Sequence, residues 1–107
     1  MLCYFLLTYT VADVGKTEKS EELAEDVRRD IRKISDWDNV EHQQTTFTGL
    51  ITVSNDKYQR ESDAIKQVTE EIEAILNDRN ARRRNIVVYC TMMLEDTFGA
   101  FHFEVSI

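Results

Sequence analysis

The chain has 107 residues, with 20 Asp and Glu against 13 Lys and Arg, and a formal net charge of −7. This length suits one compact domain, so we expect a single domain over 1–107. A negative net charge repels phosphate backbones at long range, which argues against general nucleic-acid binding. A hydrophobic content of 42% excludes a disordered chain.

The apolar run at the start of the chain, MLCYFLLTYTV, predicts a buried strand. It lacks a basic leader and a small-residue cleavage site, and it is too short to cross a bilayer. Cys3 and Cys90 stand far apart in strand-like runs, without CxxC or metal-ligand spacing. We therefore expect buried free thiols in preference to a disulfide, in a cytoplasmic protein that does not contact a membrane.

The first half of the chain changes from strand to helix periodicity. Residues 3–11 predict a strand that is covered on at least one side and central in its sheet. Ser20 predicts the N-cap of a helix that runs to Ser35. The apolar stripe of this helix is Leu23, Val27, Ile31 and Ile34.

The second half repeats this rhythm. A short strand near 39–44 and a stronger one near 46–54 are predicted to form a hairpin. A helix follows from about 57 to 79, with the apolar stripe Ile65, Val68, Ile72, Ile75 and Leu76. Strands over 85–94 and 100–107 are then joined by the turn EDTFG.

The order β-α-β-β-α-β with one more C-terminal strand predicts an α+β, ferredoxin-like two-layer sandwich. The sheet is expected to be mostly antiparallel, with both helices on one face. Candidates for covering the other face are Phe101, Phe103, Val105, Ile107, Tyr4, Tyr9 and Tyr89. From this apolar area we expect a homodimer. The alternative is that the same residues complete the core of a monomer.

Familiar catalytic signatures are missing, since the chain has no GxSxG, P-loop, GxGxxG, HExxH or Cys-His zinc spacing. His42 is expected to be a hydrogen-bonded sheet residue rather than a general base, and His102 to face away from the neighbouring phenylalanines. Asp13 follows the first strand, where a carboxylate can accept a proton or hold a divalent cation. Asp13 and Asp96 also suit ordinary turns.

Two short clusters hold eight of the 13 basic residues. They are Arg28, Arg29, Arg32 and Lys33 in the first helix and Arg79, Arg82, Arg83 and Arg84 after the second. Arginine binds phosphate in a bidentate manner, so the clusters are candidates for RNA binding. The alternative is electrostatic, because cations at the end of a helix that begins with acids interact favourably with its dipole.

Several segments resemble the GhoS-type endoribonuclease antitoxins: a first strand that ends in an Asp-containing turn, a helix with arginines in its second half, FTGLITVS, and CTMMLEDTFGAF. The resemblance implies a Cas2-like, ferredoxin-like fold and cleavage of the mRNA of a membrane-active toxin. It also implies that Arg28 or Arg29 is the functional helix arginine and that Asp13 is the strand-end aspartate. Compared with that family, the central hairpin is shorter, the link NDRNARRR is more basic and the last strand is longer.

The first predicted function is therefore endoribonuclease activity on single-stranded RNA. Arg28 or Arg29 would stabilise the developing phosphorane charge, while His42, Asp13 or a metal-bound water activates the 2′-hydroxyl. The residues expected to bind RNA are Arg32, Lys33, Arg82, Arg83 and Arg84. Tyr4 or Tyr9 is expected to stack on a base.

The second predicted function belongs to another class. The chain would be a non-catalytic oligomeric binding or regulatory module whose acidic surface contacts a basic protein partner. An acidic inhibitor of the phage type is one form of such a module.

Overall fold

The computed structural model describes residues 1–43, 45–97 and 99–107. The elements in this part of the chain are β1 (Leu2–Asp13), α1 (Glu18–Arg32), β2 (Asp38–Asn39), β3 (Thr46–Thr52), α2 (Lys57–Asp78), β4 (Ile86–Leu94) and β5 (Phe101–Val105).

The strands form one sheet in the order β2-β3-β1-β4-β5, and every neighbouring pair is antiparallel. Helix α1 connects β1 to β2, and α2 connects β3 to β4. This topology confirms the predicted α+β, ferredoxin-like sandwich with an additional C-terminal strand. β1 lies at the centre of the sheet, so its two faces decide what the domain buries and what it exposes.

Alternate residues of β1 point to opposite faces of the sheet. Those on the helix side are buried: Cys3, Phe5, Leu7, Tyr9 and Val11. Leu2, Tyr4 and Leu6 point the other way and are exposed. We call this second side the open face, defined by Leu2, Tyr4, Leu6, Thr8 and Thr10 of β1, Thr48, Leu50 and Thr52 of β3, Tyr89, Thr91 and Met93 of β4, and the edge residues Asp38, His102 and Glu104.

The helices bury their predicted stripes against the helix side of the sheet. The fully buried members are Ala24, Val27 and Ile31 of α1 and Ala64, Val68, Ile72 and Leu76 of α2. Leu23, Ile34, Ile65 and Ile75 pack at the rim of the same cluster. Ala24 and Ala64 were missed because alanine gives little contrast in a hydrophobic pattern, although its small side chain suits close packing of helix on sheet.

An aromatic cluster joins the α1–β2 connection to the sheet. Trp37 packs edge-to-face on Phe5 and Phe47, with ring centroids 5.8 and 5.4 Å apart, and Tyr9 stacks on Phe47 at 5.7 Å. Gly49 pairs with Phe5 across β1 and β3. A Cβ atom at Gly49 would lie 3.0 Å from Cε1 of Phe5, so glycine leaves the space that the phenylalanine ring occupies.

The predicted start of α1 was wrong by one turn, because the N-cap is Thr17 rather than Ser20. The Thr17 hydroxyl accepts the backbone N–H of Ser20 at 3.0 Å, and the Ser20 hydroxyl accepts the backbone N–H of Thr17 at 2.9 Å. This reciprocal pair is a capping box in which serine takes the place usually held by Glu or Gln. The helix also ends earlier than predicted, at Arg32 instead of Ser35.

The central hairpin is shorter than predicted on its first strand. β2 contains only Asp38–Asn39, and His42 lies in a turn with a positive φ of 66°. The prediction that His42 is a sheet residue was therefore wrong. Residue 44, the end of the predicted strand, and Phe98, in the predicted turn EDTFG, lie outside the described residues. In that turn Asp96 has a φ of 58°, the left-handed conformation that Asp tolerates.

The apolar row of β5 faces the helices rather than a partner. Phe101 and Val105 are buried, and Phe103 and Ile107 pack against the core. Tyr9 is buried as well, so this part of the area assigned to a dimer interface instead fills the core of one chain. Of that set, Tyr4 and Tyr89 are exposed on the open face. Both cysteines are buried and free, as predicted, and burial raises the pKa of the Cys90 thiol to about 12.

Replacing Gly49 by Ala should destabilise the protein by about 1–3 kcal/mol, because the added Cβ atom meets the Phe5 ring. The free energy of unfolding in urea measures this. In a Phe5→Leu background, Gly49→Ala should lower the free energy of unfolding by less, since the ring that the added Cβ atom meets is gone. Equal costs in the two backgrounds would contradict the account.

Candidate functional site

Asp13 ends β1, and its carboxylate fixes the start of α1. Oδ1 accepts the Ser20 hydroxyl at 2.5 Å and the backbone N–H of Lys16 at 3.0 Å. The hydrogen bond from Ser20 is the main cause that lowers the pKa of the Asp13 carboxyl, and the positive charges of Lys16 and Arg28 act in the same direction. Asp13 is thus the turn residue between β1 and α1, close to the cation of Arg28.

Arg28 covers the part of β1 that extends beyond β3. Pairing of the two strands ends at Thr8, which leaves the carbonyl of Val11 on an edge without a strand partner. Nη2 of Arg28 donates to this carbonyl at 2.9 Å, and Nη1 lies 2.6 Å from Oε1 of Glu25. The Arg28 side chain remains 32% exposed, so its guanidinium is both a structural donor and a surface cation.

Arg32 lies on the same side of α1 as Arg28. Burial raises the pKa of the Tyr9 phenol, and the nearby charges of Arg32 and Arg28 oppose that rise. Arg32 also lines a concavity of about 270 Å³ together with His42 and other residues of the 39–43 segment. The structure therefore brings Asp13, Arg28, Arg32 and His42 to one end of the sheet, which we call the β1 notch.

Arg29 and Lys33 belong to the other side of α1, where carboxylates balance the cations. Arg29 pairs with Asp26 at 3.1 Å. Arg79, which caps the end of α2, binds Asp30 through Nε at 2.8 Å and through Nη2 at 3.1 Å. This bond is the main cause that lowers the pKa of the Asp30 carboxyl. Arg79 therefore fastens α2 to α1.

The second basic cluster lies in the link between α2 and β4. Nε of Arg82 donates to Oδ1 of Asn80 at 3.0 Å. Arg83 contacts β5 and the end of the chain, with Oε1 of Glu104 at 3.1 Å and the Ser106 hydroxyl at 2.9 Å. Arg84 is exposed. Arg79 shares Asp26 with Arg29 of α1. Among the described residues no ion pair joins Arg82, Arg83 or Arg84 to α1, so the basic residues do not form one continuous cluster.

Neither of the tyrosines chosen as base-stacking candidates presents an exposed ring beside the arginines of α1. Tyr9 is buried and stacks on Phe47, so it cannot present a free ring, and that prediction was wrong. Tyr4 is 63% exposed, but on the open face, across the sheet from α1. His102, as predicted, faces away from Phe101 and Phe103; its Nδ1 lies 2.9 Å from the Thr91 hydroxyl on the open face.

The open face is an exposed apolar surface, of which the sequence analysis named only Tyr4 and Tyr89. Nine large apolar side chains are exposed in the described chain, and six of them lie here. These six are Leu2, Tyr4, Leu6, Leu50, Tyr89 and Met93. None of the residues that β1, β3 and β4 present on this face is Asp, Glu, Lys or Arg. The signal was available in LLTYT, where both strand faces carry uncharged residues.

No three His, Cys, Asp or Glu side chains in the described ranges gather as they would around a metal ion. Neither of the described helices is both long and apolar enough to cross a membrane.

Comparison with protein-family models, with curated proteins and with solved structures found no match to this chain. The fold, the β1 notch and the open face are therefore the features that bear on function.

Replacing Asp30 by Asn should lower the urea midpoint at pH 7, because Arg79 loses the nearer of its two carboxylate partners. The folded-state pKa of Asp30 is lowered, so its stabilisation is present above the ordinary Asp pKa of about 4 and is lost as pH falls through the folded value. The variant should therefore lose less stability than the parent on acidification. Glu22→Gln on the same helix is the control, and identical pH profiles for parent and Asp30→Asn would contradict the assignment.

Proposed function

We propose that the protein is an oligomeric binding module, in which two copies join through their open faces and the acidic surface left outside contacts a basic protein partner. One observation carries this proposal: a chain of net charge −7 has a sheet face whose central strands are uncharged and apolar. Six large side chains exposed together on one face are typical of an interaction surface.

The composition of the open face suits contact with a second copy. Cores of protein interfaces are depleted of charged residues and enriched in Tyr and Met, and this face offers Tyr4, Tyr89 and Met93. Its charged members, Asp38 and Glu104, lie on the outer strands β2 and β5. Two acidic chains can therefore approach face to face without placing like charges opposite each other at the centre.

The size of the face supports a dimer as well. Five strands at a spacing of about 4.8 Å span about 24 Å, and the average strand length of seven residues, at about 3.4 Å per residue, also spans about 24 Å. The flat area is therefore about 600 Å² per copy, before side-chain relief is added. A standard interface buries about 800 Å² per partner, so the face is of the right order.

A dimer of this form leaves both helices on the outside. α2 alone contributes Glu61, Asp63, Glu70, Glu71, Glu73 and Asp78 to that outer layer. The negative charge would be concentrated where a partner approaches, which favours fast association with a basic protein.

Replacing Tyr4 by Asp should convert the dimer to a monomer, because two carboxylates would enter an interface without compensating cations. Sedimentation velocity at several protein concentrations measures this. Tyr58→Asp is the matched control, since Tyr58 is 84% exposed but lies on α2. A monomeric parent protein, or equal loss of the dimer in both variants, would contradict the proposal.

A second candidate function is endoribonuclease activity at the β1 notch, and the juxtaposition of Arg28 with Asp13 favours it. A guanidinium has five N–H donors, so the bonds to Glu25 and Val11 leave donors for a phosphate. His42 borders the adjoining concavity and would activate the 2′-hydroxyl. Arg32 would supply a phosphate contact at the notch, and Lys33, Arg82, Arg83 and Arg84 would contact phosphates farther along the RNA. The resemblance to GhoS-type antitoxins adds a toxin mRNA as the proposed substrate.

This candidate predicts that Arg28→Ala abolishes cleavage of single-stranded RNA, whereas Arg29→Ala retains it, because Arg29 lies on the other side of α1. Glu25→Ala frees Arg28 from its ion pair and should keep or raise the activity. Gel assays with and without chelator measure cleavage, and circular dichroism checks the fold. Intact RNA after incubation with the parent protein, or equal loss in both arginine variants, would exclude the β1 notch as the active site.

A further inference from the structure

The outer edge of β3 is only partly paired. β2 pairs with it through Asp38 opposite Thr48 and Asn39 opposite Phe47, and the N–H of Val40 continues this pairing to the carbonyl of Thr46. On the other side of Asp38 the chain leaves the sheet, because Trp37 turns into the aromatic core. Within the described residues, β3 therefore has no strand beside its outer edge from Gly49 to Thr52.

The backbone groups on this edge follow from the alternation of an antiparallel ladder. The N–H of Val53 donates to the carbonyl of Met1, and the N–H of Tyr9 donates to that of Thr45, so odd-numbered residues of β3 address β1. Leu50 and Thr52 consequently direct their N–H and C=O groups outward. Nε2 of Gln67 donates to the Thr52 carbonyl. Among the described residues, the N–H and C=O of Leu50 and the N–H of Thr52 have no hydrogen-bond partner, so they stay available to another strand.

A groove of about 540 Å³ runs along this edge, between β3 and α2. It is lined by Asp36, Trp37, Leu50, Ile51, Thr52, Gln67, Glu70 and Glu71. The lining contains three carboxylates and no Lys or Arg, and Asp36, Glu70 and Glu71 are all exposed. The groove therefore combines free backbone groups of a strand edge with a local excess of negative charge.

We propose that this edge groove binds an extended, basic segment of the partner protein, which adds to the sheet as a strand beside β3. The inference rests on the proposed function, which it deepens by naming the site and the chemistry of the basic partner. Backbone hydrogen bonds to Leu50 and Thr52 hold the added strand. Every second side chain of that strand points to the helix side, where Lys or Arg meets Glu70, Glu71 and Asp36. The alternate side chains extend the open face beside Leu50, so the bound sequence alternates basic and apolar residues.

The negative charge also decides which strand is excluded. An unpaired edge invites pairing with a second copy of the same chain, and charged side chains beside it are a known protection. Here the same carboxylates repel another acidic edge and attract a basic one. The groove consequently selects between a second copy and a basic partner by charge, while the dimer uses the uncharged open face.

Trp37 makes the proposal testable, because it is the only tryptophan of the chain and lines the groove. Titration with a blocked seven-residue peptide of alternating Lys and Val should change the fluorescence of Trp37. Replacing Glu70 and Glu71 together by Gln should weaken binding by roughly tenfold or more. Glu73→Gln on the same helix should leave binding unchanged, because Glu73 does not line the groove. A peptide with Glu in place of Lys should not bind.

Backbone recognition is tested with two N-methylated peptides. One carries methyl groups on the amide nitrogens of one strand edge, and the other carries them on the opposite edge. Only the peptide whose methylated edge faces β3 should lose binding. Equal binding of both peptides, unchanged affinity in the double glutamine variant, or no fluorescence change would overturn the inference. The Tyr4→Asp variant and the parent protein separate the two proposals. A monomeric variant that still binds the peptide shows that the groove does not need the dimer. A dimeric parent that binds no peptide would leave the dimer standing and overturn the groove.

Discussion

The structure depends on the alternation of side chains along β1, the central strand. Its odd-numbered residues form the floor of the core under the two helices, and its even-numbered residues form the middle of the open face. Both rows are uncharged as far as Ala12, although the chain is 31% charged. Burial explains the absence of charge from the odd row, because an unpaired buried charge is expensive. It does not explain the even row, which the proposed dimer would cover.

A second constraint is the unequal length of the strands beside β1. β1 has 12 residues, β3 has seven and β2 has two, so each successive strand leaves backbone groups of its neighbour unpaired. Side chains compensate at two points: Arg28 reaches the Val11 carbonyl and Gln67 reaches the Thr52 carbonyl. The Val11 carbonyl is partly buried and needs such a partner, since a polar group left there without a hydrogen bond costs about 1–3 kcal/mol. The hydrogen bond to Val11 is therefore enough to explain the arginine at position 28, and no ligand is needed. The unequal strand lengths also show where the sheet has backbone groups open to a ligand.

Much of the fold could be predicted from hydrophobic periodicity. The element order, the stripes of both helices and the burial of Cys3 and Cys90 follow from residue patterns alone. The orientation of β5 could not be predicted, because a period of two separates the faces of a strand without saying which one is covered. The start of α1 was misplaced because Ser and Thr are both good N-caps and only the reciprocal hydrogen bonds distinguish Thr17 from Ser20.

The candidate sites were harder to predict than the fold, for a physical reason. Whether an arginine is available depends on carboxylates that tertiary packing brings to it, as Asp30 of α1 meets Arg79 at the end of α2. The β1 notch and the edge groove depend on where strand pairing stops, which is a property of neighbouring strands rather than of one segment. The sequence therefore shows which segments carry the cations. It does not show which of those cations come together on one surface.

The central claim is that the open face is covered by a second copy of the chain. Hydroxyl-radical footprinting over a range of protein concentrations tests it most directly, because it reports the solvent access of each tyrosine separately. Tyr4 and Tyr89 should become protected as concentration rises, while Tyr58 on α2 stays reactive throughout. Unchanged reactivity of Tyr4 and Tyr89 at every concentration, or equal protection of all three, would contradict the account.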